Sequence, residues 1–521
     1  MDEGASAQSE NERGVTNAAA WVDRATLFWL FAFAVFAPHS IAATQIAWAG
    51  GMLFGLIRFL FRPRPRFRRT PVDYALIGFF LLTVVSSLAS YDPSVSIGKL
   101  RAASLFTIVY LVAWNVTSRR IVRLLALTLI ASCMVSVFYT FGERAIGRGV
   151  KVEGVAENSP LRGAIFVRED RTEDPTPIQS GDTLLEVNGK ALNSPEELSA
   201  ALDDQSGREP GWVLVKIYRV EWTPLLKIER GRLLPGETAL ERLGVASWSR
   251  GRDWRAAGFY GHYTTYAESL QLIASLALGL FVSKRRGLRG VLLFAAFVGL
   301  SGALLLTVTR ASWLALVLSA FVIVIAGAPR RTIIIVLACA LPLVLAGLFV
   351  LRQKRNVGFY DQTDQSIQWR ETVWREGFNL LVSSPRHLIV GVGMDSVKAH
   401  WREWGLFDNG KIPVGHMHST PLQLALERGV PALILWIILI IVYARMLWRL
   451  ARSETAKGWT ERGILLGALG GLVGFVASGV VHYNFGDSEV VMILYFIMGL
   501  CLVLEREARK RGRSPDRGGR I

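Results

Sequence analysis

The chain has 521 residues, 51% of them hydrophobic, with a formal net charge of +17 and a mean hydropathy of +0.34. Apolar runs recur along most of that length, which excludes a soluble enzyme and points to a polytopic α-helical membrane protein. The basic residues cluster in short segments between the apolar runs, as they do in cytoplasmic loops, and they suit anionic lipid head groups rather than nucleic acid.

In chain order, the composition predicts about twelve membrane spans. The first residues, M-D-E-G-A-S-A-Q-S-E-N-E, lack a basic n-region, so no cleaved signal peptide is expected. Two spans, 25–37 and 41–60, precede the basic, Pro-broken F-R-P-R-P-R-F-R-R. Spans 72–89 and 100–116 form a hairpin whose outer turn holds Tyr91, Lys99 and Arg101. A fifth span, 121–141, leads outside, and a sixth, 263–282, returns to K-R-R-G-L-R. Spans 291–308 and 313–326 are followed by Pro329-Arg330-Arg331 and a ninth span at 333–351. A tenth span is expected to start near Pro421, and the last two at 464–481 and 490–504. Each short basic loop then falls on one side, which puts both termini in the cytoplasm of a bacterial inner membrane and two long segments, 142–262 and 352–420, outside. The expected domains are N-terminal spans (1–142), an outer insert (150–232), central spans (255–351), a large outer loop (352–420), C-terminal spans (421–505) and a basic tail (506–521). Cys133, Cys339 and Cys501 all lie in apolar runs, and no disulfide or metal framework is visible.

The insert carries its own folding signals. I-Q-S-G-D-T-L-L-E-V-N-G-K-A-L (178–192) predicts a turn, a strand, an Asn-Gly turn and a second short strand. Ser194, Pro195 and Glu197 predict a capped helix, and W-V-L-V-K-I-Y-R (212–219) alternates as a strand does. This order resembles a PDZ domain of the bacterial protease type, although a Gly-hydrophobic-Gly carboxylate loop is not evident near 150–155. The resemblance implies a small α+β domain that takes a peptide on a sheet edge, and so a protein partner. A structural insert that only packs on the rest of the protein is the alternative.

The chemistry-bearing residues lie elsewhere. In G-H-M-H-S-T-P-L-Q-L-A-L-E-R-G-V-P-A (415–432), His416 and His418 precede a long apolar run, where an imidazole can exchange protons near neutral pH. Arg310 interrupts L-L-L-T-V-T-R-A-S-W-L-A-L-V-L, and an arginine in such a stretch is costly enough to be a functional-site hypothesis. Arg370 lies in Q-W-R-E-T-V-W-R-E-G, a predicted helix. Gly391 and Gly393, in P-R-H-L-I-V-G-V-G-M-D-S, permit close backbone approach. Taken singly, each has a plain alternative: a helix-capping histidine, an interfacial anchor beside Trp313, a solvated helix face with Glu371 and Glu376, and an ordinary turn.

Together these segments resemble the O-antigen ligase and polymerase family of membrane glycosyltransferases. His418 and Ser419 match the start of its H-[NSQ]-x9-G-x-x-G pattern and Gly429 the first glycine, while Ala432 replaces the second. Thr307 to Leu316 resembles the family's T-x-S-R-x-x-W-L-A-L stretch, with Thr309 in place of Ser. Arg370 matches its outer-loop arginine, and W-R-A-A-G-F-Y-G-H-Y (254–263) its R-x-x-G-x-F/Y-x-H/N segment. The resemblance implies a GT-C-like helical fold and a polyprenyl-diphosphate-linked glycan donor. It also implies transfer to an acceptor hydroxyl of lipid A core, a growing glycan or a protein on the periplasmic face.

The residue types suit that reaction. A positioned His takes the hydroxyl proton, and arginines bind and stabilise the diphosphate leaving group. His418, Arg310 and Arg370 are the candidate catalytic residues; Lys99, Arg101, Arg255, His262, His416, Gly391 and Gly393 are candidates for substrate binding. No D-x-D or carboxylate cluster accompanies His418 on the outer loops, so no metal or other cofactor is expected. Two other classes compete. G-L-S-G (299–302) with His482 has the pattern of an intramembrane serine protease, although H-E-x-x-H is absent. A transporter would show internal repeats, and none is visible.

Overall fold

In the computed structural model, the described residues are 3–65, 67–167, 173–204, 211–219, 223–284, 287–327, 365–453 and 458–513. Among them, ten helices are long and apolar enough to cross a bilayer: Asn17–Phe36, Ile41–Leu60, Pro93–Asn115, Arg119–Ile146, Tyr263–Lys284, Leu288–Leu306, Arg310–Gly327, Val430–Arg452, Trp459–Gly479 and Ser488–Arg511. Asp73–Leu88 is a shorter apolar helix. The expected span at 333–351, with Cys339, lies outside the described residues.

One boundary is corrected. The tenth span does not start at Pro421. A short helix, Thr420–Arg428, ends at Gly429, whose φ of 82° no other residue type adopts readily, and the spanning helix runs Val430–Arg452. Gln423, Glu427 and Arg428 are all buried, so the short segment is a polar layer above the apolar span.

The described chain divides into two compact units, Met1–Val137 with Ala257–His400 and Gly415–Ile521, and Phe138–Ala256 with Trp401–Val414. In the first unit, Tyr263–Lys284, Trp459–Gly479 and Ser488–Arg511 are the helices buried over most of their length. Small residues permit this. A Cβ on Gly467 would lie 2.6 Å from Leu276 Cα and 2.8 Å from the Ser275 carbonyl oxygen. Gly279 faces Gly463 and Gly467 in the same seam, so two backbones meet where side chains would hold them apart. Polar groups within this core bond one another: Gln271 Nε2 donates to Ser319 Oγ at 2.7 Å, and Ser275 Oγ to the Gln271 carbonyl at 2.7 Å.

The second unit contains an antiparallel sheet of β1 (Val150–Val152), β2 (Ile165–Val167), β3 (Glu173–Pro175), β4 (Thr183–Val187), β5 (Lys190–Ala191), β6 (Trp212–Tyr218), β7 (Leu225–Glu229) and β8 (Trp248–Arg250). The strand order is β3-β2-β7-β6-β4-β1-β8, with β5 paired to β4. Alternation in β6 puts Val213, Val215 and Ile217 in the core with Leu198, Ala201 and Leu202 of the Pro195–Asp203 helix. The Asn-Gly turn forms with φ of 50° and 78°, as a tight hairpin requires. Asp182 of S-G-D closes its turn by accepting from Gln179 N at 2.7 Å and binds Arg219 at the far end of β6. The predicted capping box is incomplete: the Ser194 side chain makes no cap bond, and Glu197 Oε2 accepts from Asn193 N at 2.6 Å. The unit is wider than the expected 150–232 and takes in a segment of the second long loop.

The glycine seam yields a paired test. Gly467→Leu pushes a side chain into the Leu276 backbone and should cost on the order of 1–3 kcal/mol, read as a lower melting temperature in detergent. Gly471→Ala, whose nearest neighbour is 3.5 Å away, should leave that temperature unchanged.

Candidate active site

Two breaks between helices carry the sequence-predicted residues, and both hold a non-glycine residue in the left-handed region. Val308, with φ of 52°, sits between Leu288–Leu306 and Arg310–Gly327. For a β-branched residue this conformation is an outlier. His418, with φ of 47°, sits just ahead of Thr420–Arg428. Strain of about 1–3 kcal/mol per residue persists only where the surroundings enforce it, and it concentrates at functional sites.

The surroundings of His418 do enforce it. Met417 is fully buried; its N–H donates to Gln423 Oε1 at 2.7 Å, and its carbonyl accepts from Trp374 Nε1 at 2.9 Å. His418 N donates to His416 Nδ1 at 3.1 Å, and the two rings lie 4.4 Å apart. That bond leaves Nε2 of a neutral His416 as the protonated nitrogen. Burial lowers the pKa of His416 to about 4, helped by the charges of Lys398, His482 and His262. Burial lowers that of His418 to about 3, helped by His416, Arg370 and His482. Both rings are therefore neutral at physiological pH, the form in which an imidazole accepts a proton.

The charge of Arg370 reaches His418, and the helix that carries it, Gln365–Val382, is seated on Met417. Trp374, one turn on from Arg370 and on the same face, makes the bond to the Met417 carbonyl. A Cβ on Gly377 would lie 2.6 Å from Met417 Sδ, so the helix approaches the loop on its glycine side. Arg310 opens its own helix, and Ser312, two residues later, donates to Glu268 Oε1 at 3.1 Å.

Glu268 was not singled out from the sequence. It is fully buried and also accepts from Ser478 Oγ at 2.7 Å and Asn484 Nδ2 at 3.3 Å, while His482 Nδ1 lies 3.1 Å from Oε1. Thr420 N donates to the His482 carbonyl at 3.0 Å, joining this cluster to the His418 loop. Since His482 is engaged by Glu268, and Ser301 Oγ is buried with no hydrogen-bond partner, the protease pairing of Ser301 with His482 does not form.

A second missed carboxylate, Glu427, accepts from Gln423 Nε2 at 2.8 Å, Asp395 N at 3.1 Å and Tyr483 Oη at 3.3 Å, and burial raises its pKa. Asp487 accepts from Thr265 Oγ1 at 3.1 Å, and burial pushes its pKa up to about 7. His262 Nδ1 lies 3.1 Å from the same Thr265 hydroxyl, and its charge reaches His416.

The remaining candidates are placed as follows. Lys99 pairs with Asp395 at 2.8 Å. Arg101 is exposed. Gly391 and Gly393 do supply close backbone approach, but to the chain itself: Val392 N and Gly393 N donate to the Leu426 and Glu427 carbonyls at 2.8 and 2.9 Å. Arg255 belongs to the second unit. The structure thus gathers His416, His418, Arg370 and His262 into one electrostatic neighbourhood and links Arg310 to it through Glu268. The Glu268 cluster leaves one signal in the sequence, a carboxylate inside an apolar run.

No curated protein matches the chain. A family model described as O-Antigen ligase matches residues 294–437, a stretch that contains Arg310, Arg370, Gly391, Gly393, His416 and His418. With ten helices among the described residues long and apolar enough to span a bilayer, the protein is a multi-pass membrane protein that carries an O-antigen ligase domain at residues 294–437.

Proposed function

We propose that the protein is a glycosyltransferase of the bacterial inner membrane that moves a glycan from a polyprenyl-diphosphate donor to an acceptor hydroxyl on the periplasmic face. The observation that carries this function is His418, neutral and fixed in a left-handed turn within reach of the Arg370 charge, inside the O-antigen ligase match. The acceptor oxygen attacks the anomeric carbon, and its proton passes to the His418 ring. The bond from that carbon to the diphosphate oxygen breaks, and the diphosphate leaves with the electron pair. Arg310 and Arg370 hold its oxygens in charge-assisted, paired hydrogen bonds and stabilise the charge that grows on the leaving oxygen. All the chemistry is assigned to side chains, so transfer should survive excess EDTA.

Transfer to lipid A core is the preferred outcome. A polymerase extending a glycan and an oligosaccharyltransferase acting on protein hydroxyls share the same steps and differ in the acceptor. Supplying purified protein with lipid-linked glycan and each acceptor class separates the three; transfer to none of them overturns the function. His418→Ala should lower kcat by about 10²–10⁴-fold, with the protein still folded. Arg310→Ala and Arg370→Ala should each lose at least about ten-fold, and Arg310→Lys should recover only part, since an ammonium cannot reproduce the guanidinium fork. A near-normal rate in His418→Ala would remove its role.

The pH dependence follows from burial. Burial disfavours the imidazolium, so His418 gives up its proton at lower pH than a free imidazole. Between about pH 4 and 6.5, where a free histidine becomes charged, His418 stays neutral and competent. The acid limb of kcat/KM should therefore lie below about pH 5. A limb near pH 7 that vanishes in Asp487→Asn would move the base to Asp487, whose pKa is about 7.

The sheet of the second unit is assigned no chemistry; in this proposal it recruits a protein partner in PDZ-like fashion through a sheet edge. Replacing 154–231 by a short Gly/Ser linker should preserve transfer to simple acceptors in detergent and reduce it in cells. A stable deletion variant that is inactive on simple acceptors would make the unit part of the transfer site.

A further inference from the structure

Glu268 lies in the second turn of the apolar span Tyr263–Lys284 with no exposure to solvent, and a carboxyl group buried there needs partners that take the place of water. Four polar groups surround it. Oε1 faces Ser312 Oγ and His482 Nδ1, both at 3.1 Å, and Oε2 faces Ser478 Oγ at 2.7 Å and Asn484 Nδ2 at 3.3 Å. Two donors per oxygen match the lone pairs of a carboxylate. The His482 ring then donates its Nδ1–H, and its orientation is fixed by that bond.

The four partners come from three places in the chain. Ser312 lies in the first turn of the helix that Arg310 opens. Ser478 lies in the last turn of Trp459–Gly479. His482 and Asn484 form the turn that follows. That turn holds the His418 loop: Thr420 N donates to the His482 carbonyl at 3.0 Å, and Thr420 Oγ1 to Asn484 Oδ1 at 2.9 Å. Only Ser419 separates Thr420 from His418. One carboxylate is therefore the common anchor of the helix start that carries Arg310 and the loop that carries His418.

We propose that Glu268 is a positioning residue of the transfer site, setting the separation of Arg310 and His418 through Ser312 on one side and His482, Asn484 and Thr420 on the other. The proposal rests on the assignment of Arg310 and His418 to glycan transfer. Glu268 touches no substrate; its effect is on the geometry in which the hydroxyl proton and the leaving diphosphate are handled at once. Misplacement of reacting groups by about 1 Å costs up to about 10²-fold in rate.

The test uses the full-length protein in detergent. Glu268→Gln should lower kcat about ten- to a hundred-fold while leaving KM for the lipid-linked donor within about two-fold. Glu268→Asp, which keeps the carboxyl group, should recover part of the rate. Thr420→Val, which removes only the hydroxyl, should lower kcat in the parent and add little in Glu268→Gln, because both changes cut one path. Multiplying losses would overturn the proposal. A second readout does not need activity. Spin labels at Ala311 and Gly415 should give a narrow distance distribution in the parent and a broader one in Glu268→Gln. Should Glu268→Gln fail to fold, Ser312→Ala removes one arm of the anchor and should broaden the same distribution. An unchanged distribution in the folded variant overturns the proposal. If the parent transfers no glycan, the assigned function fails, and the label distances still decide whether Glu268 anchors the two elements.

Discussion

A polar group inside an apolar helix bundle has no water to turn to, so each must find its partner within the protein. That constraint organises the first unit around Glu268. The carboxylate is satisfied by groups from three further stretches of chain, and those groups reach it only because the helices carrying them come close. The close approach depends on glycine: Gly467 leaves room for the Leu276 backbone, and Gly474 leaves room for the Gln271 amide and the Ser319 hydroxyl. Small residues set the helix spacing, the spacing satisfies the carboxylate, and the carboxylate holds the turn at 482–484 against the His418 loop. Loss of any step leaves either a void or an unpaired buried polar group, and the second is the more costly.

Much of this was legible in the sequence. Spans betray themselves by composition, since a stretch of about twenty apolar residues has little other use. Arg310 was legible because an arginine is conspicuous against Leu304 to Leu318, and His418 because its spacing to Gly429 is distinctive. The hairpin around Asn188-Gly189 was legible because its signals are local. The Glu268 cluster was not, because its bonds join residues 44, 210, 214 and 216 positions apart, and no local pattern encodes such separations. The break at Gly429 was hidden for a different reason. Pro421 reads as the first turn of a long helix, and the apolar run continues across the glycine. What ends the first helix is a tertiary contact, in which the Gly391–Gly393 turn packs against the carbonyls of Leu426 and Glu427.

The electrostatics of the site give the proposed reaction an order of events. Two buried imidazoles share their surroundings with the Arg370 guanidinium, and burial, helped by the charges of His416 and Arg370, holds His418 neutral and weakly basic, with a pKa of about 3. A base that weak accepts a hydroxyl proton poorly. In the proposed reaction, a diphosphate held by Arg310 and Arg370 would change the balance. Its negative charge would oppose the guanidinium charge and favour a protonated ring, raising the pKa of His418. The rise is larger in a site screened from water than it would be in solvent, because the same charges act through a lower dielectric. In the proposed reaction the histidine is therefore a stronger base with the leaving group in place than without it. In the proposed reaction, water or an acceptor that enters before the donor would meet a weaker base than one that enters after it.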